Sequence, residues 1–270
     1  MARIRCSTDL VPVPRGWFEQ TIAALFDLAE HTTAHDGRIH LPDGQLVPDV
    51  RLADGRHLRP GAVYEDEGSG GGHAQSRISV REWDRRGGVR LHQSLQHEQL
   101  NVTLEGTLRS VERPRTMELT VNVDAGPSWA TRLLRTSVAA DVELDAWWRA
   151  VEGRRTARPL LTVRVRRRWT SAVLHVTPRP RDGQWEVCCR LTVRGRALMR
   201  PVVAVALMLA RGALKGAMAK TLEQIAAEWN RTVPDLVTLD ANQIRRRAAV
   251  GLAVGAGEKT VEGVKAEHLR

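Results

Sequence analysis

Cysteine, lysine, aromatic residues and long apolar runs are all scarce in this 270-residue chain. Cys6, Cys188 and Cys189 supply no framework of bridges, which sets aside the disulfide-stapled secreted class and fits a reducing cytoplasm. The stretch from Met1 to Leu10 lacks the apolar run of a secretory signal. The best apolar run, Pro201 to Ala210, is ten residues long and bracketed by Arg200 and Arg211. A helix that spans a bilayer needs about 20, so no transmembrane segment is expected. Motifs of familiar enzymes are missing too. There is no Gly-x-Ser-x-Gly elbow and no His-Glu-x-x-His pair, and Gly68 to Gly72 lacks the Gly-Lys-Ser/Thr of a phosphate loop. No metal site and no cofactor are expected.

What remains is a composition of 42% hydrophobic and 27% charged residues, enough apolar material for a sizeable core. The reading is one α+β domain over residues 1–235 followed by a basic, loosely ordered tail over 236–270, where Gly251, Gly255, Gly257 and Gly263 interrupt any helix. The net charge is +10. Thirteen arginines between Val151 and Arg200, set against Glu152, Asp182 and Glu186, account for all of it. The basic character is thus local, and a local basic field attracts nucleic acid, acidic lipid or an anionic ligand. Only Lys215, Lys220, Lys259 and Lys265 are lysines, and a codon bias toward arginine produces the same excess with no binding role.

Periodicity orders the elements. Ile4 to Val11 reads as a strand closed by Pro12 and Pro14, and Gly16 to His31 as a helix with Phe18, Ile22, Leu25 and Ala29 on its core stripe. Asp36 to Pro60, with Asp-Gly at Asp36, Asp43 and Asp54, reads as a turn-rich connector, and Gly68 to Gly72 as a flexible loop. Alternation from Ser76 to Asp124 predicts an antiparallel meander. Leu133, Leu134, Val138, Val142, Leu144, Trp147 and Trp148 predict a helical insertion at about 127–151. Strands follow near Leu160 to Arg167, Thr170 to Val176 and Trp185 to Arg194, the last pair turned by Asp182-Gly183. On the final strand Trp185, Val187, Cys189 and Leu191 share one face, and Glu186, Cys188, Arg190 and Arg194 the other. A long amphipathic helix from Ala197 to Asn230 ends at Pro234.

Ile4 to Phe18 (strand, Pro-rich corner, helix), Leu58 to Asp66 leading into the meander, and Trp185 to Trp229 (last strand into long helix) form an order that resembles the START-like superfamily. Its SRPBCC members include polyketide cyclases and lipid-transport proteins of helix-grip fold. The resemblance implies a curved antiparallel sheet wrapped around the long C-terminal helix, with a cavity for a small hydrophobic, lipid- or polyketide-like ligand between them. Val102, Leu104, Leu119, Val121, Leu207, Leu214, Met218 and Leu222 are the residues placed to line it. They serve equally as ordinary core residues. If the fold carries a cyclase- or dehydratase-type reaction, Glu65, Arg90 or His92 is the candidate to move a proton.

An alternative function rests on charge. Arg164, Arg166 and Arg168 alternate onto one side of their strand, and Arg190 and Arg194 onto the outward side of a nearby one. Together they form a patch for nucleic acid or an acidic membrane surface, or simply a solvated face. Trp169 and Trp185 are read as core anchors in either case. His31, His35 and His40 with Asp36 form the local histidine cluster, expected on a solvated helix end.

Overall fold

A computed structural model describes residues 2–66, 74–97, 100–124, 126, 135–154, 159–195 and 200–254. The fold is α+β with antiparallel strands. The chain divides into two units, Met1–Trp17 with Pro114–Thr238, and Phe18–Arg113 with Leu239–Arg270.

In the first unit the strand order is β1 (Ala2–Leu10), β13 (Gln184–Gly195), β12 (Thr170–Arg181), β11 (Leu161–Arg167), β10 (Thr136–Glu143) and β9 (Thr116–Asp124). Every neighbouring pair is antiparallel. The alternation on β13 holds: Trp185, Val187 and Cys189 are buried while Arg190 and Arg194 are exposed. Asp182 and Gly183 both take positive φ (47° and 77°), the conformation a two-residue hairpin turn requires. Helix α2 (Leu144–Val151) covers the buried side, its Trp148 ring 5.9 Å from that of Trp185.

One expectation fails in part and one in full. Of the helical insertion expected at about 127–151, residues 127–134, with Leu133 and Leu134, lie outside the described residues; Thr136–Glu143 is a strand, so Val138 and Val142 are sheet residues, while Leu144, Trp147 and Trp148 lie on the short helix α2 as expected. The single long helix is two, α3 (Arg200–Leu209) and α4 (Arg211–Val237), with Pro234 inside α4 instead of ending it. A sheet wrapped around this helix is not seen. Helix α4 packs on β1, the end strand of this unit's order, and buries only Ala226 and Val233. Trp229 Nε1 donates to the Val11 carbonyl (2.9 Å), and Asn230 accepts from the Val11 amide (2.7 Å) while donating to the Asp9 carbonyl (3.0 Å). These bonds tie the helix to the end of β1.

In the second unit the order is β8 (Leu100–Arg109), β7 (Gly88–His97), β6 (Ala74–Asp84), β5 (Val63–Asp66), β4 (Leu46–Asp54), β3 (Arg38–His40) and β2 (Thr33–His35). The turn-rich connector is therefore three strands, β2 to β4, with its Asp-Gly pairs at the turns: Asp36 and Gly37 have φ of 50° and 75°. The loop at Gly68 to Gly72 lies outside the described residues. Helix α1 (Arg15–Glu30) buries Ala24, Phe26 and Leu28, and leaves Leu25 exposed, so its core stripe is rotated from the expected one. Phe26 stacks on Trp83 at 4.5 Å, and Arg85 lies over the Phe26 ring while pairing with Asp27 and Glu30.

The stretch expected to be a loose tail begins with helix α5 (Ala241–Val254). Its Ala248, Ala249 and Ala253 pack on a core of Leu28, Ile39, Leu41 and Val47. Small side chains let a helix approach an apolar surface closely, and Gly251 costs only about 1 kcal/mol relative to Ala in a helix. Residues 255–270 lie outside the described ones. Among the described residues no helix is long and apolar enough to cross a membrane.

Candidate anion-binding face

Residues paired directly across an antiparallel ladder point to the same side of the sheet. Following the register across β1, β13, β12 and β11 gives successive rows on the side opposite Trp185. Arg194, Ser171 and Arg166 form one row, and Arg3, Thr192, Val173 and Arg164 the next. Then come Arg5, Arg190, His175 and Thr162; Ser7, Cys188 and Thr177; and Asp9, Glu186 and Arg179. The structure thus places Arg164, Arg166, Arg190 and Arg194 on one face. It adds Arg3, Arg5 and Arg179, which sequence reasoning passed over. The signal for Arg3 and Arg5 was their alternation with Ile4 and Cys6. Arg168 is excluded from the rows because β11 ends at Arg167; its guanidinium lies 4.9 Å from the Trp169 ring centroid.

Charge on this face is largely uncompensated. Arg164 pairs with Asp141, and Glu186 is 3.6 Å from Arg181. Arg3, Arg5, Arg166, Arg179, Arg190 and Arg194 are exposed and have no ion-pair partner among the described residues. Successive arginines on one strand, two residues apart, stand roughly 6.8 Å from each other.

The face is not flat. Ser7, Cys188 and Thr177 are short, and the rows on either side carry Arg5, Arg190 and His175 on one flank, and Asp9, Glu186 and Arg179 on the other. The short row therefore floors a trough, an open pocket of about 550 Å³ to which Pro159 also contributes. His175 Nδ1 is 3.3 Å from the Thr162 hydroxyl. Beneath the floor, Cys6 and Cys189 are register partners on the buried side. Burial, with Cys188 and Cys6 nearby, pushes the Cys189 thiol up to about 11, so it stays protonated at neutral pH. At the β11–β12 turn Trp169 is 43% exposed, a surface ring and not the expected core anchor, whereas Trp185 is buried.

The residues expected to line an apolar cavity are dispersed. Val102 and Leu104 are half-buried on β8 in the second unit. Leu119, 39% exposed, and Val121 lie on β9 at the opposite end of the first unit's strand order from β1, where α4 carries Leu214, Met218 and Leu222. The Leu207 side chain lies outside the described ones. None of these lines the trough or the smaller, 260 Å³ pocket between Asp27, Leu28, Pro42 and Arg245.

The candidate catalytic groups share one polar face of the second unit's sheet but are engaged separately. Glu65 pairs with Arg77 at 2.9 Å and Arg90 with Glu105. His92 is two strands from Glu65 and offset along the ladder, roughly 12 Å away. His31 and His35 are exposed, and His35 is 3.5 Å from Asp36. Among the described residues, no group of three or more His, Cys, Asp or Glu is placed to hold a metal ion.

A half-buried polar chain in the second unit escaped the sequence reading. The Leu58 amide donates to Tyr64 Oη (2.9 Å), which lies 2.9 Å from His57 Nδ1. His57 Nε2 lies 2.8 Å from the Thr32 hydroxyl, which donates to the Ala29 carbonyl (2.6 Å). Since Tyr64 already accepts and Thr32 already donates, the chain assigns the proton of a neutral His57 to Nε2. Desolvation lowers the His57 pKa in spite of the bond to Thr32, and desolvation raises that of Tyr64 in spite of the bond from Leu58. Thr32, His57 and Tyr64 are too far apart in sequence for any spacing rule to join them.

No family model matches this chain, and no curated protein and no solved structure is found to be similar to it.

Proposed function

We propose that the first unit binds a nucleic-acid strand by its phosphate backbone, laid across the arginine rows of β1, β13, β12 and β11. The observation that carries this reading is the set of six exposed arginines without ion-pair partners on one sheet face among the described residues, while the opposite face buries Ile4, Val176, Trp185, Val187 and Cys189. Holding like charges together costs free energy unless an anion offsets it, and a polyanion offsets it at the successive rows led by Arg194, Arg3 and Arg5. The i, i+2 spacing of Arg3 and Arg5, roughly 6.8 Å, is comparable with the distance between successive phosphates of an extended strand. Exposed Trp169, with Arg168 beside it, offers a ring on which a base can stack. Between the arginines the rows carry Thr, Ser, His and the carboxylates of Asp9 and Glu186, with Val173 among them and Trp169 at the edge, a mainly polar lining that suits a phosphate chain better than insertion into a lipid interface. The apolar-ligand and cyclase readings draw no support from where their residues lie.

The test is fluorescence anisotropy of a labelled single-stranded oligonucleotide titrated with protein across a salt series. Six phosphate contacts predict a log–log slope of about −4. Reversing two charges in Arg190→Glu/Arg194→Glu weakens binding at least tenfold and makes the slope shallower by more than one. Absence of binding at low salt, or a slope unchanged in the double variant, overturns the proposal.

A further inference from the structure

We infer that the trough floored by Ser7, Cys188 and Thr177 is a site for a phosphomonoester, the doubly charged terminal phosphate of a strand or of a free nucleotide. This rests on the strand-binding reading and sharpens it. Arg5 and Arg190 stand directly opposite each other on neighbouring strands, an arrangement that destabilises a sheet when nothing lies between the charges. Neither has an ion-pair partner among the described residues, so the repulsion has no internal remedy. Arg179 stands two rows away on the far side of the trough, and His175 lies across from Arg190. Asp9 and Glu186 share the row of Arg179, and Glu186 is 3.6 Å from Arg181, so the positive flank is the Arg5–Arg190 side together with Arg179, around a floor that carries the hydroxyls of Ser7 and Thr177, donors suited to phosphate oxygens. A diester in mid-strand offers one charge and two free oxygens; a monoester offers nearly two charges and three free oxygens, and satisfies more of these donors. At about 550 Å³ the trough has room for a nucleotide, within the usual range of ligand pockets.

Three probes decide this: one oligonucleotide sequence with a 5′-phosphate, the same with a 5′-hydroxyl, and adenosine 5′-monophosphate as competitor. The phosphorylated strand is expected to bind roughly ten- to a hundredfold more tightly. The mononucleotide should reduce that preference, and Arg5→Gln/Arg190→Gln should erase it: both strands then bind more weakly than to the wild type, through the remaining arginines, and with equal affinity. Equal affinity of the two strands, with both binding in a salt-dependent way, overturns the trough and leaves the face reading intact. If neither strand binds, the face reading falls. The trough is then decided by direct titration with adenosine 5′-monophosphate, for which binding lost in the double variant upholds it and no binding overturns it. Retained native circular dichroism in the variant separates loss of the site from loss of the fold.

Discussion

Arg5 of β1 and Arg190 of β13 are register partners, so two guanidinium groups face each other across the ladder with no carboxylate paired to either among the described residues. The arrangement weakens the sheet and gathers positive charge beside the trough. Stability and anion binding therefore pull against each other here. Arg190→Glu converts the repulsion into an opposite-charge pair and is expected to stabilise the first unit by about 0.5–1 kcal/mol while weakening oligonucleotide binding. Urea unfolding and anisotropy on the same preparations check both signs; a variant that loses stability and keeps its affinity contradicts the role given to this pair.

His57 supplies a pH dependence. Its folded-state pKa is lowered below the ordinary 6.5, because burial disfavours the imidazolium by more than the bond to Thr32 favours it. The unfolded chain thus binds the proton more readily. The stabilising contribution is fully present above pH 6.5 and declines as the pH falls below it towards the lowered value. Urea midpoints measured between pH 8 and pH 5 should fall on the acid side for the wild type, and less so for His57→Gln, whose amide can both accept and donate in that position. The same acid slope in both proteins excludes His57 as its source.

Thiol reactivity should follow burial. With its pKa at about 11, Cys189 holds almost no thiolate at pH 8, while Cys6 and Cys188 are only half-buried. Timed alkylation with iodoacetamide and peptide mass mapping should show Cys189 as the slowest of the three. Modification of Cys189 first contradicts the buried placement of that side of β13.

Helix α5 should matter to stability. Ala249 packs against the Leu28, Ile39, Leu41 and Val47 cluster, and Ala249→Asp is expected to cost about 1–2 kcal/mol by placing a carboxylate against apolar side chains. The neighbouring exposed Val250→Asp is the control, expected to change stability by under about 0.5 kcal/mol. Equal effects at the two positions rule out this packing.

How much of this was legible depended on whether a pattern had one structural solution. The Trp185 to Arg194 alternation did, because only period two separates Val187 and Cys189 from Arg190 and Arg194. Val138 and Val142 did not, since a spacing of four is even and also close to a helical turn; pairing with β9 and β11 made them strand residues. Strands β2 and β3 are three residues each, shorter than any window in which period shows, and their Asp-Gly turns looked like a connector. Helix α5 was masked by Gly251 and by its Arg245 to Arg247 run, though its apolar contacts are alanines that carry little hydropathy signal. At the candidate site, the membership of Arg164 and Arg166 in one face, and of Arg190 and Arg194 in another strand's face, followed from alternation. That both face the same side, joined by Arg3 and Arg5, required the register, which depends on pairing across the chain.

The location of the bound strand tests the central claim most directly. An oligonucleotide carrying 4-thiouridine, photo-crosslinked to the protein and followed by peptide mass mapping, should form adducts at Cys188, His175 and Trp169, all on or beside the arginine rows. Adducts confined to peptides of Phe18–Arg113, or to the buried side of β13, contradict it.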